Sequence, residues 1–166
     1  MALGFDEIRL ATPEDEEQVF DFLMTLHAEN ALFPVSPEKV RDAIKHATDR
    51  RGGVIALIEG DDGRIEASLG AVVEPWWYTT APSLNEVWNY VRADCRQTNH
   101  AKRLIEFGKV LADQHLCGIP FFMGIISTER TEAKMRLYGR QLQQIGGMFA
   151  HGLERPALEA MRRGHA

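Results

Sequence analysis

Cysteine is scarce in this chain: only Cys95 and Cys117 occur, far apart and with no C-x-x-C pair. That excludes a disulfide framework, and reduced thiols are expected. Six histidines are scattered without H-E-x-x-H or another ligand spacing, so the sequence predicts no metal site. No apolar run approaches the roughly 18 residues of a membrane span. The start, Met1-Ala-Leu-Gly-Phe-Asp-Glu7, lacks the basic and hydrophobic regions of a signal peptide. The expected compartment is therefore cytoplasmic, with no membrane partner. A formal net charge of −5 argues against a nucleic-acid partner, because duplex affinity comes mostly from neutralising phosphates. No internal repeat or low-complexity segment interrupts the chain.

What remains is ordinary globular material, 45% hydrophobic and 26% charged over 166 residues. That length predicts one domain, 1–166, with a basic tail from about residue 152 that is peripheral, either helical or frayed. Glu7–Ala11 reads as a short strand. Thr12-Pro-Glu-Asp15 opens a helix with a cap, a proline and acids in the first turn, followed by the stripe Val19, Phe20, Phe22, Leu23 and Leu26. Ser36-Pro37 starts a second helix, which Arg50-Arg-Gly-Gly53 ends. Strands Val54–Ile58 and Ile65–Val73 flank Glu59-Gly-Asp-Asp-Gly63, whose Asp-Gly pair predicts an antiparallel hairpin. The connection Glu74–Ser83 holds Trp76, Trp77 and Tyr78, which either fold back over the core or line a substrate pocket or dimer contact.

The stretch Leu84–Cys117 organises the rest. Leu84–Val91 has strand composition, and from Ala101 the residues Leu104, Ile105, Gly108, Leu111 and Ala112 mark one helix face. Between them lies the polar turn Arg92–Asn99. From residue 92 to 109 five cations (Arg92, Arg96, Lys102, Arg103, Lys109) face two acids (Asp94, Glu106), a local +3 in an acidic chain. A helix start offers unpaired N–H groups and partial positive charge, so this turn suits an anion; solvated helix ends are the ordinary alternative. Downstream, Phe121–Ile126 reads as a buried central strand. Ser127–Thr131 caps a helix running to about Leu142, and Gln144–Phe149 reads as a short last strand.

This order of elements resembles the GNAT acyltransferases, which move an acetyl group from acetyl-CoA to an amine. Their signature, roughly V-x-P-x-x-R/Q-x-x-G-x-G/A-x-x-L-hydrophobic, is similar to Val91-Arg-Ala-Asp-Cys-Arg96-Gln-Thr-Asn99-His-Ala101-Lys-Arg-Leu104-Ile105, with Ala93 for Pro and Asn99 for the first Gly. Asn is the residue next most tolerant of positive φ. Thr131-Glu-Ala-Lys-Met-Arg-Leu137-Tyr138 resembles the family's N-x-x-A-x-x-L-Y, with Thr at the Asn position. The resemblance implies an α/β fold with a mixed, mostly antiparallel sheet flanked by helices. It implies acetyl-CoA as cosubstrate. The arm would lie on the backbone of Tyr90, Val91 and Arg92, and the pyrophosphate at Arg96, Gln97, Thr98, Asn99, His100, Ala101 and Lys102, with Thr131 nearby. It assigns Tyr138 as the proton donor to the departing thiolate.

For the base, Glu86 on the strand and Glu74 beside the aromatic loop compete, and a water chain would serve as well. His100 is expected to contact phosphate or solvent. The acceptor is an amine of a small molecule or of a protein or peptide, which the sequence does not choose between, and the aromatic loop offers a homodimer surface. Two other readings stand: a catalytically degenerate member that binds acyl-CoA or a protein partner, and an anion-binding interaction module.

Overall fold

The computed structural model describes residues 5–126, 130–147 and 150. Among the described residues five strands form one sheet in the order β1 (Ile8–Leu10), β2 (Gly53–Glu59), β3 (Ile65–Pro75), β4 (Pro82–Val91), β5 (Phe121–Phe122). The first four pair antiparallel and β5 joins β4 in parallel, so the sheet is mixed and mostly antiparallel, as expected. Helices α1 (Glu16–Asn30), α2 (Pro37–Thr48), α3 (His100–Val110) and α4 (Thr131–Gln141) flank it. Among the described residues no helix is long and apolar enough to cross a membrane.

Local chemistry sets most boundaries. The first turn after Thr12 is a 3-10 turn, Pro13–Asp15, fixed by the Thr12 N–H on the Asp15 carboxylate at 2.7 Å. Ser36 caps α2 by accepting from the Lys39 N–H at 3.4 Å. The β2–β3 hairpin turns at Gly63, whose φ of +76° suits glycine. The α3 helix widens into a π turn, Leu111–His115, and Gly118 at φ +75° ends the segment. Gln144–Gly147 has no regular structure, so the expected strand is absent there. The remainder of that strand, the Ser127–Glu129 part of the α4 cap, and the basic tail lie outside the described residues.

Both faces of the sheet are covered, which is why β2 reads as a continuous apolar run. Ile55 and Leu57 pack with Val19, Phe22 and Leu23 of α1 and Ile44 and Ala47 of α2. Ala56 and Ile58 pack on the opposite face with Leu104 and Phe107 of α3. In β4 the alternation is broken once. Gly70 pairs with Trp88 and Ala71 with Glu86, leaving Val87 as a bulge. A one-residue insertion flips every later side chain to the other face. Leu84 therefore packs toward α3, whereas Trp88 and Tyr90 pack among α1 and α2. Trp88 lies against Gly70, where an added Cβ would stand 2.4 Å from the indole ring, and its Nε1–H donates to Ser68 Oγ at 3.1 Å.

The fifth strand is shorter than the run Phe121–Ile126 predicts. Its pairing with β4 stops at Asn85–Phe122. The next rung is taken by a side chain: the Gly124 N–H donates to Glu86 Oε2 at 2.9 Å. Inserting a carboxylate between two parallel strands parts them, and β4 beyond Glu86 is left with one open edge.

Candidate active site

A cavity of about 250 Å³ opens where β4 and β5 part. Its walls are Leu26, His27 and Asn30 of α1; Glu86, Val87, Trp88 and Asn89 of β4; Gly124, Ile125 and Ile126 after β5; and Lys134 and Tyr138 of α4. The structure thus brings together Glu86 and Tyr138, which are far apart in sequence. Glu74 does not reach the cavity. It is exposed at the end of β3, where its carbonyl accepts from Ser83 Oγ (3.1 Å) and Asn85 Nδ2 (3.2 Å).

The cavity perturbs its titratable groups. Burial pushes the Glu86 carboxyl up to about 7, while the Gly124 N–H and the Lys134 charge pull it back. Burial, then the Glu86 charge, holds the Tyr138 phenol well above its ordinary range, against a hydrogen bond with Asn89 that lowers it. Asn89 Oδ1 is buried and finds no partner among the described residues. Burial lowers His27, favouring the neutral imidazole; burial, then Arg96, lowers Lys134. Lys134 Nζ donates to Asn30 Oδ1 at 3.4 Å.

The open edge of β4 has a defined polarity. The Arg92 N–H is spent on Glu66 of β3 at 2.9 Å, so strand alternation also directs Tyr90 to β3, and Val91 and Asn89 to the open side. Consistently, the Val91 carbonyl accepts from Arg96 Nε at 3.3 Å. Of the three backbone donors expected here, Val91 alone faces the gap; Tyr90 and Arg92 are used within the sheet. The Tyr90 side chain is buried, with its hydroxyl donating to Glu29 Oε1 at 2.7 Å.

At the far end of that edge lies the basic turn. Asn99 is the residue before α3 and has φ −94°, so no left-handed conformation is needed where the signature has glycine. The Thr98 N–H is used on Cys95 O (3.2 Å), and the His100 N–H leans on Thr98 Oγ1 (3.4 Å). The N–H groups of Gln97, Asn99, Ala101 and Lys102 find no acceptor among the described residues and line the turn. The cations near them are mostly tied back: Arg92 to Asp94 (3.4 Å), Lys102 to Glu106 (3.6 Å) and Arg96 to Glu29. The His100 imidazole turns to Glu66, 2.8 Å away, rather than out to the turn. Thr131, exposed, is the first residue of α4.

Of the alternatives for the aromatic loop, rings folded over the core and rings lining the cavity are both contradicted. Trp76 is 45% exposed and stands edge-on to Phe122, while Trp77 and Tyr78 are 92% and 69% exposed and pair with each other. None of the three lines the cavity. The sequence reading missed His27, Asn30, Asn89 and Lys134, because they meet only through tertiary folding. Both cysteines are free thiols, and the described residues hold no cluster of three or more His, Cys, Asp or Glu suited to a metal ion.

Neither a family sequence model nor a curated protein sequence matches the chain. Solved structures do. A possible acetyltransferase from Clostridium difficile 630 is 18% identical, with a TM-score of 0.67 over 88% of this chain and 96% of that one. A predicted acetyltransferase from Clostridium acetobutylicum, solved with acetyl-CoA, is 12% identical with a TM-score of 0.66 over 88% and 95%. The aminoglycoside 6'-N-acetyltransferase AAC(6')-Ih from Acinetobacter baumannii is 17% identical with a TM-score of 0.59 over 87% and 98%. The likeness runs over 87–88% of the chain, and the chain has the fold of the GNAT acetyltransferases.

Proposed function

We propose that this chain transfers an acetyl group from acetyl-CoA directly to a primary amine. The observation that carries the reading is the parting of β4 and β5 at Glu86, which sets an open strand edge between a row of unpaired amides at one end and Glu86 with Tyr138 at the other. The pyrophosphate would sit on the N–H groups of Gln97, Asn99, Ala101 and Lys102, where the helix dipole adds partial positive charge. Thr131 and the side chains of Arg96 and Lys102 lie beside it in this reading, and the arm runs along the open edge at Val91 and Asn89.

At the apex the neutral amine attacks the thioester carbonyl carbon, and the edge N–H of Asn89 offers a hydrogen bond to the oxygen as it gains charge. Glu86, titrating near 7, accepts the amine proton; a base poised near the working pH combines a useful ionised fraction with enough basicity. The carbon–sulfur bond breaks as Tyr138, held protonated by its raised pKa, gives its proton to the thiolate. An amide and CoA thiol leave, and solvent returns the proton from Glu86 to Tyr138. The acceptor is the amine of a small molecule or of a peptide.

Release of free thiol from acetyl-CoA across a panel of small amines and peptides tests the proposal. Amine-dependent release supports it. CoA binding with no release on any amine leaves the degenerate binder, and no CoA binding at all removes both readings.

A further inference from the structure

One charged cluster lies beside the cavity, and its carboxylate, Glu29, takes no part in the chemistry above. Glu29, at the end of α1, holds two partners with its two oxygens: Oε1 accepts from the Tyr90 hydroxyl at 2.7 Å, and Oε2 pairs with Arg96 Nη2. Arg96 reaches it by turning its side chain away from the amide turn and along the edge of β4, where Nε also bonds the Val91 carbonyl and the guanidinium approaches the Tyr90 ring, 5.9 Å from its centroid. Arg96 belongs to the turn whose N–H groups stand open, yet its charge is spent on α1. Its Nε occupies a carbonyl of the strand edge along which the arm would run.

We propose that Glu29 is a built-in competitor for the cosubstrate: it holds Arg96 across the open edge of β4, and the pyrophosphate must draw the guanidinium away before CoA is fully seated. This rests on the reading that CoA binds in the gap. The chemistry is an exchange of one bidentate-capable cation between two anions. The carboxylate is present in the free protein at high effective concentration, and a phosphate oxygen replaces it in the complex. The same exchange frees the Val91 carbonyl for an amide N–H of the arm. It also frees Glu29 Oε2 beside the cavity once the cosubstrate is in place, while Oε1 keeps the Tyr90 hydroxyl, so an acceptor ammonium meets an acid without its arginine only in the loaded enzyme.

Competition and support differ in sign. If Glu29 competes, Glu29→Gln tightens CoA binding; if it orients Arg96 for phosphate, the same change weakens it. Gln keeps an acceptor for the Tyr90 hydroxyl, so the core contact survives, and the melting temperature of each variant reports folding. Calorimetric titration with CoA is expected to show a gain on the order of tenfold for Glu29→Gln, the equivalent of losing one charge-assisted hydrogen bond. Arg96→Gln is expected to weaken binding, and in that background Glu29→Gln is expected to have no effect. Unchanged or weaker binding by Glu29→Gln, or a gain that persists without Arg96, overturns the inference. Should CoA not bind, which would remove the functional reading, titration with inorganic pyrophosphate still measures the exchange: tighter binding by Glu29→Gln supports it, and equal binding or none overturns it.

Discussion

Glu86→Gln separates the role of the carboxylate from the shape of the gap. Glutamine keeps an oxygen for the Gly124 N–H and so preserves the link that parts β4 from β5, while it removes the charge. In the folded chain burial raises this carboxyl from its ordinary 4.5 to about 7. A raised carboxyl binds its proton more tightly folded than unfolded, so its contribution to stability is fully present below about pH 4.5 and is lost as pH rises through about 7. Taken at face value the difference is worth about 3 kcal/mol, and about 1.5 kcal/mol after discounting for a carboxyl that still meets solvent. For a chain of this size that is about 3–6 °C in melting temperature. Melting curves of both proteins from pH 4.5 to 8 are therefore expected to diverge, with the wild type falling relative to Glu86→Gln. Amine-dependent thiol release is expected to drop by about 10²–10⁴-fold and to lose its rise with pH near neutrality. Parallel melting curves would show that Glu86 is not desolvated, and full turnover by the variant would remove it as the base.

Three other perturbations follow from the same geometry. Tyr138→Phe is expected to keep CoA affinity within about twofold and slow turnover by roughly 10²–10⁴-fold; calorimetry beside a thiol assay separates the two, and unchanged turnover would dismiss Tyr138 as the acid. Asn99→Gly restores the signature residue where φ is already −94°, so CoA affinity is expected to stay level while stability falls by about 0.5–1 kcal/mol from added chain freedom; a large gain in affinity would refute this account of the turn. Gly108→Ala places a Cβ 2.6 Å from the Phe121 ring, which anchors β5 against α3. Overpacking of about 1–3 kcal/mol outweighs the roughly 1 kcal/mol gained in helix propensity, so denaturant unfolding is expected to show a net loss, relieved by a second change, Phe121→Leu.

The sequence made the scaffold legible wherever a local rule decides structure. The Ser36 cap, the Asp62-Gly63 turn and the apolar face of α3 are each visible within a few residues and appear where expected. Phe121–Ile126 was misleading because composition does not reveal that Glu86, a strand away, takes the Gly124 N–H and ends the ladder after Phe122. The aromatic rings lie off the core for a related reason: β3 and β4 extend to Pro75 and Pro82, leaving Trp77 and Tyr78 exposed at the tip. In the site, the signature registers located the turn and Tyr138. Which amides of the turn stay unpaired is fixed by the Thr98 N–H closing back on Cys95 and by α3 beginning at His100, and which strand residues face the gap is fixed by the Val87 bulge; neither leaves a mark in composition. Glu29, His27 and Lys134 enter only because α1 and α4 meet across the edge of β4.

Backbone amide chemical shifts recorded during a titration with acetyl-CoA show most directly where the cosubstrate lies. Saturable shifts concentrated at Gln97, Asn99, Ala101 and Lys102, continuing through Val91 and Asn89 to Gly124, are the expected result. Saturable binding that leaves those amides unmoved and perturbs another surface, such as the Trp77–Tyr78 tip, would contradict that placement.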